Sequence, residues 1–185
     1  MTLSSPFVRL DMPTRADTVA ITDACQDASI QRFTTIPVPY RPQDAHAFVD
    51  ALVGPGWASD RECTWAIRRP GSTWLDGVVS YRTSGRELGF WLAPSARGLG
   101  LMSAAVGLVV DWAFGRGDPD VYWECFLGNT ASAGVARRAG FSYTGVRPGR
   151  LPGRDGSPVD CWTGLLRADG RRASDIAWPT ESVSS

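Results

Sequence analysis

Apolar and polar positions follow two periods along this chain, and the sharpest change of period falls between Leu88 and Gly115. Leu88-Gly89-Phe90-Trp91-Leu92 is a short apolar, aromatic run closed by Pro94, the profile of a buried strand. A tight, glycine-rich turn comes next, Ser95-Ala96-Arg97-Gly98-Leu99-Gly100. Leu101, Ala104, Ala105, Leu108, Val109, Trp112 and Ala113 then recur at three- and four-residue steps, which predicts a helix with one buried face, stopped by Gly115 and Gly117.

The same reading orders the rest of the chain. Phe7–Leu10 predicts an opening strand, and Thr14-Arg-Ala-Asp17 a capping box for a helix through Val19, Ile21, Ala24 and Cys25. Ile36-Pro-Val-Pro-Tyr40 favours extended backbone. A second helix, about Pro42–Val53, carries Ala45, Phe48, Val49 and Leu52 on one face and is expected to stop at Gly54-Pro-Gly56. Cys63–Ile67 and Trp74–Tyr81 read as strands joined by a turn at Arg69–Ser72. After the long helix come a strand at Val121–Phe126, a short helix about Ala131–Ala139, and Phe141–Val146 and Val159–Leu166 as a closing hairpin around Arg154-Asp-Gly156. This order predicts one mixed α/β domain over residues 1–166 and a loosely ordered tail, 167–185.

Composition narrows the functional classes. With 185 residues, 43% hydrophobic, the chain suits one packed domain. A formal net charge of +0 gives no general pull toward nucleic acid or an anionic membrane. There is no apolar run long enough to span a bilayer, and the N-terminus lacks the pattern of a signal peptide. Cys25, Cys63, Cys125 and Cys161 are dispersed and His46 is the single histidine, so no metal site is expected. Reduced thiols in a cytoplasmic protein are the matching expectation.

Strand, glycine turn and helix together aim unpaired N–H groups at one point, where the helix dipole adds partial positive charge. Glycines open that point to an anion, and Arg97 adds a cation at its mouth. The turn is neither a Walker loop nor the dinucleotide fingerprint, since no Gly-Lys-Ser/Thr comes after it and Ser103 stands in place of the third glycine.

Three segments resemble the GNAT superfamily of acyl-CoA-dependent N-acyltransferases, in particular its RimJ/RimL-like branch. Leu92-Ala-Pro-Ser-Ala-Arg-Gly-Leu-Gly100 is similar to that family's pyrophosphate loop. Asn129-Thr-Ala-Ser132 followed by Ala139-Gly-Phe141 is similar to its Asn-x-x-Ser and Gly-Phe pattern, and Pro37-Val-Pro-Tyr40 with Asp44-Ala45 to its proline-bearing helix entry. The resemblance implies a central mixed, mostly antiparallel sheet whose strands ending near Leu92 and Phe126 splay apart, with flanking helices. Acetyl-CoA would lay its pantetheine arm along Trp91, Leu92 and Ala93. Its pyrophosphate would rest on the N–H groups of Arg97, Gly98, Leu99, Gly100, Leu101 and Met102. Asn129 would contact the arm and Ser132 the sulfur. Met102 departs from the Gly or Ala of the family motif, which predicts a more crowded last donor.

Acyl transfer to an amine needs a proton acceptor and a group to stabilise the departing thiolate. Glu87 and Glu124 are the candidate bases and Ser132 the thiolate partner. The plainer readings are an arginine partner or solvated charge for Glu124 and a helix cap for Ser132. Asp160 could reach the acceptor or support a turn, and His46 reads as a helix-surface residue. The resulting expectation is an acetyltransferase acting on a protein N-terminus or a small-molecule amine. The alternatives are a non-catalytic acyl-CoA sensor or interaction module, and a homodimeric scaffold.

Overall fold

The computed structural model describes residues 1–150 and 152–179. In chain order the elements are β1 (Leu3–Ser4), β2 (Arg9–Asp11), α1 (Thr18–Ala24), α2 (Ala28–Phe33), α3 (Pro42–Ala47), α4 (Gly54–Ala58), β3 (Glu62–Arg68), β4 (Gly77–Arg82) and β5 (Glu87–Leu92). Next come α5 (Leu101–Gly115), β6 (Asp120–Phe126), α6 (Thr130–Arg138), β7 (Ser142–Pro148) and β8 (Asp160–Arg167).

The described strands form one eight-stranded sheet in the order β1-β2-β3-β4-β5-β6-β8-β7. Every neighbouring pair is antiparallel except β5–β6. This is the mixed GNAT-like fold expected. Strand alternation gives the sheet two buried faces. On one, Trp65, Val79, Leu88, Val121 and Trp123 pack against Leu101, Ala105, Val106 and Val109 of α5 and Ala136 of α6. On the other, Ala66, Val78 and Trp91 meet Ile21 of α1, Ile30 of α2 and Ala45 of α3. Arg68, almost wholly buried there, is held by Asp17 at 2.8 Å and Asp11 at 2.8 Å. Breaking one member of such a buried pair would strand a charge.

Several boundaries differ from the sequence reading. Gly54-Pro-Gly56 does not stop the second helix. A π-helical turn, Phe48–Val53, carries the chain into α4, with the Gly54 N–H bonded to the Val49 carbonyl. Pro55 then falls in the first turn of α4, where a missing N–H costs nothing. The first helix opens with a 3₁₀ turn, Arg15–Asp17, beneath the expected capping box. The strand expected from Trp74 begins at Gly77, because Asp76 is drawn to Arg69 at 3.0 Å and Trp74 stays exposed. Helix α2 is an element beyond those the sequence reading predicts. Beyond β8 the chain still touches the sheet: the Ala173 N–H donates to the Ser142 hydroxyl, and the Trp178 ring lies 5.7 Å from Trp123. Residues 180–185 of the expected tail lie outside the described residues.

Candidate active site

The parallel pair β5–β6 is joined only at Glu87–Tyr122 and Leu88–Trp123, with the Tyr122 N–H donating to the Arg86 carbonyl at 2.7 Å. Beyond that point β5 follows β4 as far as Leu92, while β6 follows β8 as far as Phe126. The two strands therefore open into a V. Successive residues of a strand turn their backbone groups to opposite edges. The Ala93 N–H bonds the Asp76 carbonyl, so Ala93 and Trp91 face β4, whereas Phe90 and Leu92 face the gap. Of the expected segment Trp91–Ala93, Leu92 therefore faces the gap, joined there by Phe90, while Trp91 and Ala93 face β4; the Leu92 carbonyl already accepts from Arg97 at 3.2 Å.

At the open end, α5 begins after Gly98 and Gly100, with φ of 76° and 75°. A side chain at either glycine would meet open space but would strain the backbone. The N–H groups from Gly98 to Ser103 have no protein acceptor among the described residues. The Arg97 N–H is excluded from this set, being bonded to the Pro94 carbonyl at 3.3 Å. Met102 turns its side chain into the core, 6% exposed, so the crowding expected from it is absent. Arg97 is not free at the mouth either. Its guanidinium pairs with Asp27 at 2.7 Å. Burial raises the Asp27 carboxyl, but hydrogen bonds from Arg97, Ser29 and the Ile30 N–H outweigh it and hold the pKa at about 2. The cationic side chain that lines this part of the cavity beside Arg97 is Arg138 of α6, which donates to the Ser103 hydroxyl at 3.4 Å.

A cavity of about 730 Å³ runs from this cradle into the V, along Phe90, Trp91 and Leu92 to Asn129 and Ser132. A second, of about 270 Å³, shares part of this wall and is also lined by Glu62, Arg82, Glu87 and Glu124. Phe33, Thr34, Phe90, Trp91, Asn129 and Ser132 line both. Asn129 caps α6 by accepting the Ser132 N–H at 3.1 Å, and the Ser132 hydroxyl accepts the Trp123 indole N–H at 3.1 Å. The cap reading of this segment therefore falls on Asn129.

Glu87 and Glu124 share one face of the sheet. Glu87 is 4% exposed and ion-paired with Arg82, with Arg150 3.7 Å away. Burial raises its pKa against the pull of Arg82, and the charge of Glu124 adds to the rise. Glu124 accepts the Tyr122 hydroxyl at 3.0 Å and the Arg150 N–H at 3.0 Å. Arg150 also stacks 3.5 Å from the Tyr122 ring centroid. Asp160 and His46 are exposed, and neither lines the two cavities. Cys125 and Cys161 line the second cavity, but burial pushes both thiols to about 12. Nucleophilic thiolate is scarce at that value. The described residues contain no cluster able to hold a metal ion, and no helix long and apolar enough to cross a membrane.

Residues missed in the sequence include Ser29, Ile30 and Phe33, which wall the larger cavity from α2. Asp27 as an N-cap and the Ile30–Phe33 spacing were the available signals. Arg82, Arg138 and Arg150 left no such trace.

This geometry is matched by a family. The model described as acetyltransferase (GNAT) domain matches residues 8–142, and the chain belongs to that family. No curated protein matches it. Among solved structures, it is similar to RimL, the ribosomal L7/L12 α-N-protein acetyltransferase in complex with coenzyme A. That match has 19% identity, TM-score 0.78, and coverage of 92% of this chain and 100% of the other. The microcin C7 self-immunity acetyltransferase MccE, in complex with acetyl-CoA and AMP, matches at 17% identity and TM-score 0.75, covering 88% and 93%. A GNAT-family acetyltransferase from Bacillus anthracis matches at 16% identity and TM-score 0.77, covering 91% and 99%.

Proposed function

We propose that this protein transfers acetyl from acetyl-CoA directly to a primary amine, on a peptide N-terminus or a small molecule, with both substrates bound together. The observation that carries the reading is the meeting of two cavities at Ser132. One leads to a cradle of free N–H groups, and the other is lined by carboxylates.

The cradle fits a pyrophosphate: Gly98–Ser103 offer donors with no protein acceptor among the described residues, and Arg138 offers a cation. Phe90 and Leu92 present backbone to an extended arm lying in the V. Acetyl-CoA, when bound, supplies the thioester carbonyl and carries away the electron pair of the broken C–S bond on sulfur. Glu87 and Glu124 attract the acceptor's ammonium, which gives one proton to solvent to become the neutral nucleophile, and Glu87, with its raised pKa, takes the second proton from nitrogen as the N–C bond forms. Ser132 keeps its proton and hydrogen-bonds the departing sulfur. RimL, by name a ribosomal L7/L12 α-N-protein acetyltransferase, and MccE, by name a microcin C7 self-immunity acetyltransferase, share this fold. The narrow second cavity suits an amine with a small neighbouring group.

The test is calorimetric titration with acetyl-CoA, then thiol release with a panel of N-terminal peptides and small amines. Ser132→Ala is expected to lower kcat about 100-fold while leaving acetyl-CoA affinity unchanged. Binding with no turnover on any amine would favour the sensor reading, and absence of binding would remove the cofactor assignment.

A further inference from the structure

We infer that Trp123, braced by the C-terminal segment through Trp178, is a positioning residue that aims the Ser132 hydroxyl into the junction of the two cavities. The inference rests on the role proposed for Ser132.

Ser132 is held at two points. Its N–H is fixed to the Asn129 side chain at 3.1 Å, and its oxygen accepts the Trp123 indole N–H at 3.1 Å. A hydroxyl has one proton to donate and two lone pairs. With one lone pair engaged by the indole, rotation about the C–O bond is restricted and the proton must point elsewhere. Cys125 is the neighbouring side chain, and its own thiol donates to the Asn129 carbonyl at 3.7 Å. A neutral thiol is a weak acceptor and does not compete with a departing thiolate for the Ser132 proton.

The indole is held in turn. Trp123 is 1% exposed in β6. Gly164 of β8 stands directly opposite it, and a Cβ there would come within 3.1 Å of the indole Cε3 and 3.2 Å of the Ser142 carbonyl. Trp178 lies 5.7 Å from Trp123 and 5.6 Å from Tyr143, so the chain beyond β8 returns to pack against the same ring. A ring needing only an apolar site would not have to present its N–H to a hydroxyl that lines both cavities. The bond also satisfies a buried donor, and a packing role alone would account for that. The two roles differ in what happens at the substrate sulfur.

A hydrogen bond to a thiolate lowers the pKa of the thiol that forms it. The probe is therefore CoA itself, bound to the full-length protein and titrated by ultraviolet thiolate absorbance, with affinity and thermal unfolding measured in parallel. Ser132→Ala is expected to raise the bound thiol pKa, lowering the thiolate fraction roughly tenfold at pH below it. Trp123→Phe keeps the aromatic packing and removes the N–H. It should move the pKa in the same direction, and the double variant should go no further than Ser132→Ala alone. Trp178→Leu, which leaves the indole N–H in place, should give a smaller shift in the same sense and serves if Trp123→Phe does not fold. If Ser132→Ala shifts the thiol pKa and both tryptophan variants leave it unchanged, the inference is overturned while the Ser132 role stands. If Ser132→Ala itself leaves it unchanged, the role of Ser132 is what fails.

Discussion

Glu87 carries the most consequential side-chain environment in the site. Burial alone would push its carboxyl up, Arg82 pulls it down, and burial wins. Raised in the folded state, it favours folding below its unfolded pKa, and that contribution is lost as pH rises through the folded value. Activity runs the other way, because only the deprotonated form accepts a proton. The acid limb of kcat/KM should lie above that of an unperturbed glutamate, and Glu87→Gln should remove it with about a 100-fold loss of kcat. A pH–rate profile of both proteins checks this. An unchanged limb in the variant would move the base to Glu124. Both carboxylates could be named from their place on strands. Their arginines could not, since Arg150 reaches Glu124 from 26 residues downstream and no local pattern marks such a partner.

The cradle depends on how α5 starts. Gly100 holds φ at 75°, a conformation costing any other L-residue roughly 1–2 kcal/mol. Gly107, inside the same helix, has no such constraint, and a Cβ there meets nothing within 4 Å. Gly100→Ala should weaken acetyl-CoA binding about tenfold and lower Tm, whereas Gly107→Ala should leave affinity unchanged and raise stability by about 0.5–1 kcal/mol. Calorimetry and thermal melts separate the two. Helix α5 was legible because fifteen residues show the helical period over four turns. Helix α2, with six residues, is too short for a period to stand out from its surroundings. The π-helical turn before α4 escaped for a related reason: glycine and proline mark a stop only when no wider turn lies upstream to absorb them.

Across the whole molecule, Asp27 joins the N-terminal helices to the glycine turn that opens α5. It caps α2 and takes Arg97 at 2.7 Å, although Arg97 is 42% exposed and solvent screens the pair. Its pKa is lowered from 3.8 to about 2, so its stabilisation is complete above the ordinary carboxylate value and is lost as pH falls through about 2. Asp27→Asn should melt at lower temperature than the parent at neutral pH, and the gap should narrow between pH 3.8 and about 2. Melting curves across that range test it, and a gap independent of pH would assign the effect to the helix cap alone.

Periodicity and turn chemistry are local, and through them the sequence by itself determined the strand order of the central meander, α5, the glycine turn and the Asn129–Ser132 segment. The V belongs to the tertiary structure. It opens because β8 inserts between β6 and β7 and holds β6 along its length while β4 holds β5, and strand pairing is a contact between distant segments. The same long-range pairing decided that Phe90 and Leu92 face the gap, that Met102 turns into the core, and that Trp178 returns to Trp123. No residue's own identity encodes those directions, because each is set by what the fold brings against it.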